Sequence, residues 1–144
     1  EEKAVSEAED FNELIRVTVI AGGERVAVAG TGIGPNRVPH LVEVQGRRLT
    51  IELERYVTVF RYEDLPGMIG RVGTIFGAHG INISSAAVGH TAGASGSAGV
   101  KPGAGDDRRL AAMVVTTDAP VPEAVLEEIV ASEGFDNGWS VDLR

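Results

Sequence analysis

The stretch Arg61-Tyr62-Glu63-Asp64-Leu65-Pro66-Gly67-Met68-Ile69-Gly70-Arg71-Val72-Gly73 decides how this chain folds. On its N-terminal side, Val57 to Glu63 is rich in β-branched and aromatic residues and reads as a strand. Asp64-Leu65-Pro66-Gly67 has the composition of a tight turn. Beyond it, Met68, Ile69, Val72, Ile75, Phe76 and His79 recur at helical spacing until Gly80, which stops the helix. A strand passing through a turn into a helix is the first half of a β-α-β unit.

Working outward to the C-terminus, Ile81 to His90 predicts a strand and Leu110 to Thr117 another. Between them Thr91 to Arg109 is rich in Gly, Ala and Ser without periodicity, which predicts a flexible excursion. Pro120-Val121-Pro122 sets up a helix with Pro122 near its first position and an apolar stripe of Val125, Leu126, Ile129 and Val130. Trp139 to Leu143 supplies a last strand. The order is βαββαβ, an α+β, ferredoxin-like arrangement with both helices on one face of an antiparallel sheet.

Upstream, Leu14 to Ala21 alternates apolar and polar residues and predicts a half-buried strand, with Gly22-Gly23 as a turn into Arg25 to Ala29. Gly30 to Pro39 reads as irregular. A second hairpin follows, Leu41 to Gln45 turning at Gly46-Arg47 into Leu49 to Leu53. Four short strands without a helix lack a second layer. Residues 1–55 are therefore expected to be a truncated, mostly-β domain that packs on upstream sequence, on the 56–144 domain or on a second copy.

Composition narrows the partners. With 43% hydrophobic residues over 144 positions, the chain can bury a real core. A net charge of -8 opposes nucleic acid or an anionic membrane, leaving small molecules and proteins. No apolar run approaches the roughly 18 residues of a membrane helix, and the acidic start is unlike a signal peptide. The absence of Cys removes disulfides, thiolate metal sites and a thiol nucleophile, which fits a cytoplasmic location. A start on Glu rather than Met is expected of a piece of a longer protein.

The Arg61–Gly73 stretch, followed by Gly80-Ile81-Asn82-Ile83, resembles the start of an ACT domain, and more narrowly that of the D-3-phosphoglycerate dehydrogenase family. Val28-Ala29-Gly30-Thr31 and the segment through Val44-Gln45-Gly46-Arg47 are similar to the end of the intervening domain that longer members carry before it. The resemblance implies a regulatory part of an NAD-dependent enzyme of serine biosynthesis, with no cofactor in this chain. It also implies a homo-oligomer formed through side-by-side ACT sheets that binds L-serine for feedback inhibition. The competing readings are an ACT oligomerisation module that senses another amino acid or none, and the regulatory part of an L-serine dehydratase.

A free amino acid presents a carboxylate and an ammonium, so its site needs an anion hole and a carboxylate. Pro66 and Gly67 start the helix, so backbone N–H groups near Gly67, Met68 and Ile69 lie at the positive end of its dipole. Asp64 is placed to accept from an ammonium, or else to cap the helix. Asn82 offers donors and an acceptor, or else is a strand-entry turn residue; the resemblance implies that it reaches a ligand held by the neighbouring subunit. Tyr62 matches the family pattern but is also a packing residue. Arg37, His40, Arg47 and Arg48 surround the second hairpin, where the resemblance implies an anion or substrate site. His40 and Glu52 replace basic residues of the family there.

Other motifs are excluded on their own terms. Gly30-Thr31-Gly32-Ile33-Gly34-Pro35 ends in Pro and precedes no helix, unlike a dinucleotide fingerprint. The loop with Lys101 lacks the ending of a phosphate loop. His40, His79 and His90 have no metal-ligand spacing, and none pairs with Ser84, Ser85 or Asp106 as a nucleophile system. No catalytic or metal residue is expected. Gly70, Gly73 and Gly77 share one helix face and predict close approach of helix to sheet.

Overall fold

A computed structural model describes residues 2–6, 14–21, 24–91 and 110–143. The expected excursion therefore falls, beyond Thr91, outside the described residues, as do Lys101 and Asp106. The C-terminal part runs β6 (Tyr56–Glu63), α1 (Met68–Ala78), β7 (Ile83–Thr91), β8 (Leu110–Thr117), α2 (Glu123–Val130) and β9 (Phe135–Asp142). Its strands lie in the order β7-β8-β6-β9, all antiparallel, which is the ferredoxin-like α+β arrangement.

Both helices cover one face of this sheet. Met68, Val72 and Phe76 of α1 and Val125 and Ile129 of α2 pack with Phe60, Tyr62, Met113 and Val115 from the strands. Phe60 meets Phe135 edge to face at 5.8 Å, the geometry that the aromatic quadrupole favours. β8 is buried continuously from Ala111 to Thr117 because it is covered twice. Ala111, Met113 and Val115 face the helices, whereas Ala112 and Val114 face a second core.

That second core is built by the N-terminal half. Its strands are β1 (Glu2–Ser6), β2 (Leu14–Ala21), β3 (Glu24–Ile33), β4 (Val38–Val44) and β5 (Arg47–Glu52), an antiparallel meander. Leu41, Val44, Leu49 and Ile51 pack on Val57, Ala112 and Val114, so the half without a helix finds its second layer on the neighbouring sheet. A short antiparallel ladder, Arg47↔Thr91 and Arg48↔His90, joins β5 to β7 and makes, among the described residues, one nine-stranded curled sheet.

Several sequence expectations are corrected. Glu2–Ser6, to which the sequence reading assigned no element, forms a strand by backbone pairing with β2. β3 continues through Gly30 to Ile33 rather than becoming irregular; a Cβ on Gly30 would lie 3.0 Å from the His40 carbonyl oxygen, so the glycine admits a close β3–β4 pairing. The second hairpin turns at Gln45-Gly46, both at positive φ (49° and 75°), one residue earlier than expected. Pro122 stands at the N-cap of α2, next to its first helical residue as expected, whereas β9 begins at Phe135 rather than Trp139. Gly70, Gly73 and Gly77 approach no sheet, since a Cβ on any of them would meet nothing within 4 Å. Among the described residues, no helix is long and apolar enough to cross a membrane.

Candidate functional site

The turn after β6 opens into a cleft of about 380 Å³, at the small end of ligand-sized pockets. It is lined by Tyr62, Asp64 and Leu65 to Gly70, closed on the far side by Val88 and His90 of β7. Gly67 makes the geometry possible. As N-cap of α1 it sits at φ 88°, a left-handed conformation that a side chain resists.

The start of α1 is open. The first N–H to bond back is that of Arg71, to the Gly67 carbonyl at 3.0 Å. Met68, Ile69 and Gly70 precede it, no side chain caps the helix, and its first turn carries no acidic residue. α2 is different, with Glu123 in its first turn and the Val125 and Leu126 N–H groups on the Pro122 carbonyl. Asp64 thus does not cap α1, which removes the structural alternative for it. Its Oδ2 lies 3.1 Å from His90 Nδ1. An anion-attracting helix end and a carboxylate share one cleft, the pairing that a zwitterion requires.

Tyr62 supports the floor. It is buried, stacks at a tilt on Phe135 with ring centroids 5.9 Å apart, and lines the cleft. Burial, and then the Asp64 charge, push its phenol up to about 12, so it is a neutral hydroxyl at physiological pH. Asn82 lies elsewhere. It precedes β7 and exchanges two 3.2 Å bonds with Asp118: its N–H donates to the carboxylate Oδ1, and its carbonyl accepts from the Asp118 N–H. His90 is eight residues further along β7, roughly 26 Å for an extended strand. One chain does not bring Asn82 to Asp64.

The four basic residues of the second hairpin are not gathered either. Arg37 and His40 lie at the β3–β4 turn end, where His40 pairs in register with Glu52 and its Nδ1–H donates to the Val38 carbonyl, 2.8 Å away. Arg47 and Arg48 stand at the opposite end of β5, on alternate faces. Arg47 is committed to structure: Nε donates to the Leu110 carbonyl at 2.9 Å and Nη1 to that of Gln45 at 3.1 Å. Burial, then the neighbouring Arg61 charge, lower its pKa. Arg48 is exposed and pairs across the ladder with His90, at the rim of the cleft.

His90 is a cleft residue that sequence reading weighed only as a metal or nucleophile partner and did not place at this site. Its only signal was being a lone His at a strand end, and the Asp64 contact depends on two segments 26 positions apart in the chain. The other histidines are engaged separately, His79 with Glu128 at 2.7 Å and His40 with its own strand. Gly30 to Pro35 runs from β3 into a turn and on to β4, without the helix that a dinucleotide site uses.

Comparison with known proteins agrees with this fold. The ACT domain family model matches residues 56–134. D-3-phosphoglycerate dehydrogenase of Archaeoglobus fulgidus is 30% identical over 143 residues, covering 99% of this chain and 24% of that protein. The enzyme of the same name from Mycobacterium leprae is 38% identical over 82 residues, 56% of this chain and 16% of that protein. That of Methanocaldococcus jannaschii is 30% identical over 128 residues, 89% and 21% respectively. The chain spans a quarter or less of the length of these curated relatives. The open α1 terminus facing Asp64, carried on a β7-β8-β6-β9 sheet and matched over more than half of the chain, makes this protein a member of the ACT domain family.

Proposed function

We propose that the chain is the amino-acid-sensing regulatory part of a D-3-phosphoglycerate dehydrogenase, with residues 1–55 belonging to an intervening domain and residues 56–144 binding L-serine. The observation that carries this reading is the uncapped start of α1 opposite Asp64 in one cleft. The ligand carboxylate lies on the Met68–Gly70 N–H groups and its ammonium on Asp64. Oxidation with NAD belongs to other domains of the parent enzyme, and serine binding lowers its rate through a coupling free energy of about 1 to 3 kcal/mol.

The site is completed by a second copy. What supports this is the β7 edge: between Ile83 and Gly89 it has no strand partner on the side away from β8 among the described residues. Ser84, Ser85 and Ala86 are exposed there and small enough for close pairing. Antiparallel pairing about a two-fold axis at Ser85 sets Asn82 of one copy opposite Val88 of the other, at the cleft. The Arg48 pairing already occupies this edge at His90 and ends the ladder there.

Thermal-shift measurements against the twenty amino acids test the reading. The expected result is a rise selective for L-serine, abolished by Asp64→Ala. About 2.7 kcal/mol of stabilisation is expected at a hundredfold excess over Kd. No response to any amino acid refutes it.

A further inference from the structure

We infer that His90 is a ligand-controlling residue of the effector cleft: its imidazole holds Asp64 in the empty site, and an amino acid's ammonium must displace it to bind. The inference deepens the sensing role proposed above and rests on it. Three observations carry it. His90 Nδ1 lies 3.1 Å from Asp64 Oδ2, both side chains line the same cleft, and both are about half exposed, so the contact opens without unpacking a core. Asp64 does not cap α1, so the imidazole and the ligand compete for a carboxylate with no role in capping that helix.

The competition is for one acceptor. An imidazole N–H and an ammonium both donate charge-assisted bonds to the Asp64 carboxylate, and the imidazole already faces Oδ2. The groups around it can be named. From β6 and its turn come Tyr62 and Asp64, with Glu63 between them; the start of α1 brings no acidic side chain in its first turn, and Arg71, which follows Gly70, donates to the Glu133 carbonyl. From β5 come Arg48, directly across the ladder, and Arg47 beside it. Among the described residues, β8 contributes apolar ones at this end, Leu110 to Ala112. The Tyr62 hydroxyl is neutral, so Asp64 is the carboxylate in the cleft lining that an ammonium can pair with. Removing the imidazole therefore frees Asp64 and strengthens effector binding.

His90 also ties the cleft to the N-terminal half. Its backbone pairs with Arg48 of β5, so a displaced His90 acts at the seam between the two cores.

The test is L-serine titration of the 144-residue chain by calorimetry, with His90→Ala and Asp64→Asn alongside, and imidazole NMR of the ligand-free protein. His90→Ala should bind L-serine at least about three-fold more tightly than the wild type, because the competing donor is gone, and Asp64→Asn should shift the His90 resonances without ligand. An unchanged or weaker Kd in His90→Ala overturns the role of His90 while leaving the sensing role intact. Absence of L-serine binding in both the wild type and His90→Ala overturns both, and unmoved His90 resonances in Asp64→Asn overturn the contact itself.

Discussion

Replacing Gly89 with alanine should separate the two halves of the molecule. A Cβ at this buried strand position would lie 2.8 Å from the Arg48 carbonyl oxygen and 3.2 Å from Arg48 C and Arg47 Cβ. The nearest of these atoms are backbone and cannot swing aside, so β5 must retreat by at least about half an ångström to restore ordinary contact. The retreat strains the Arg47↔Thr91 and Arg48↔His90 ladder and the Arg47 bond to Leu110. Overpacking costs about 1–3 kcal/mol, and each weakened hydrogen bond adds about 1 kcal/mol, giving about 2–4 kcal/mol in all. Gly73→Ala is the control of opposite sign. Nothing lies within 4 Å of its Cβ, so alanine should gain about 0.5–1 kcal/mol from helix propensity alone. Urea unfolding gives both values, and amide exchange at β5 should accelerate only in Gly89→Ala. A Gly89→Ala change smaller than about 0.5 kcal/mol, or a larger loss for Gly73→Ala, refutes the reasoning.

Arg47→Met should cost about 1–3 kcal/mol in the urea midpoint, because the Leu110 and Gln45 carbonyls lose a shared donor; Arg47→Lys should not restore it, having no planar fork to reach both. Tyr62, with its phenol held at about 12 against an ordinary 10.0, gives stability that is complete below pH 10 and is lost as pH rises toward 12. Unfolding measured across that range should show a fall on the order of 2–3 kcal/mol, absent in Tyr62→Phe.

The sequence by itself determined the βαββαβ order, the α1 start and the turn that makes the cleft. These are local: Pro66 and Gly67 punctuate a strand and a helix whose periodicities are plain over eight to eleven residues. It also marked Asp64 as a carboxylate in need of a role. Less local features were hidden. Gln45 at positive φ carries no compositional signal, and the early start of β9 at Phe135 was not read, since Asp136 to Gly138 has no strand composition; there Gly138 leaves room for Phe60, Val130 and Leu126.

Tertiary structure alone decided which of those local features meet. Glycines at 73 and 89 look alike in a sequence, yet one faces open space and the other a neighbouring backbone. Four basic residues close in sequence were dispersed, because a hairpin places its two ends far apart and strand alternation turns Arg47 and Arg48 to opposite faces. His90 gained its place beside Asp64 only when β7 crossed the open end of α1, since contacts between distant segments are set by sheet order and register and leave no periodic trace in either segment.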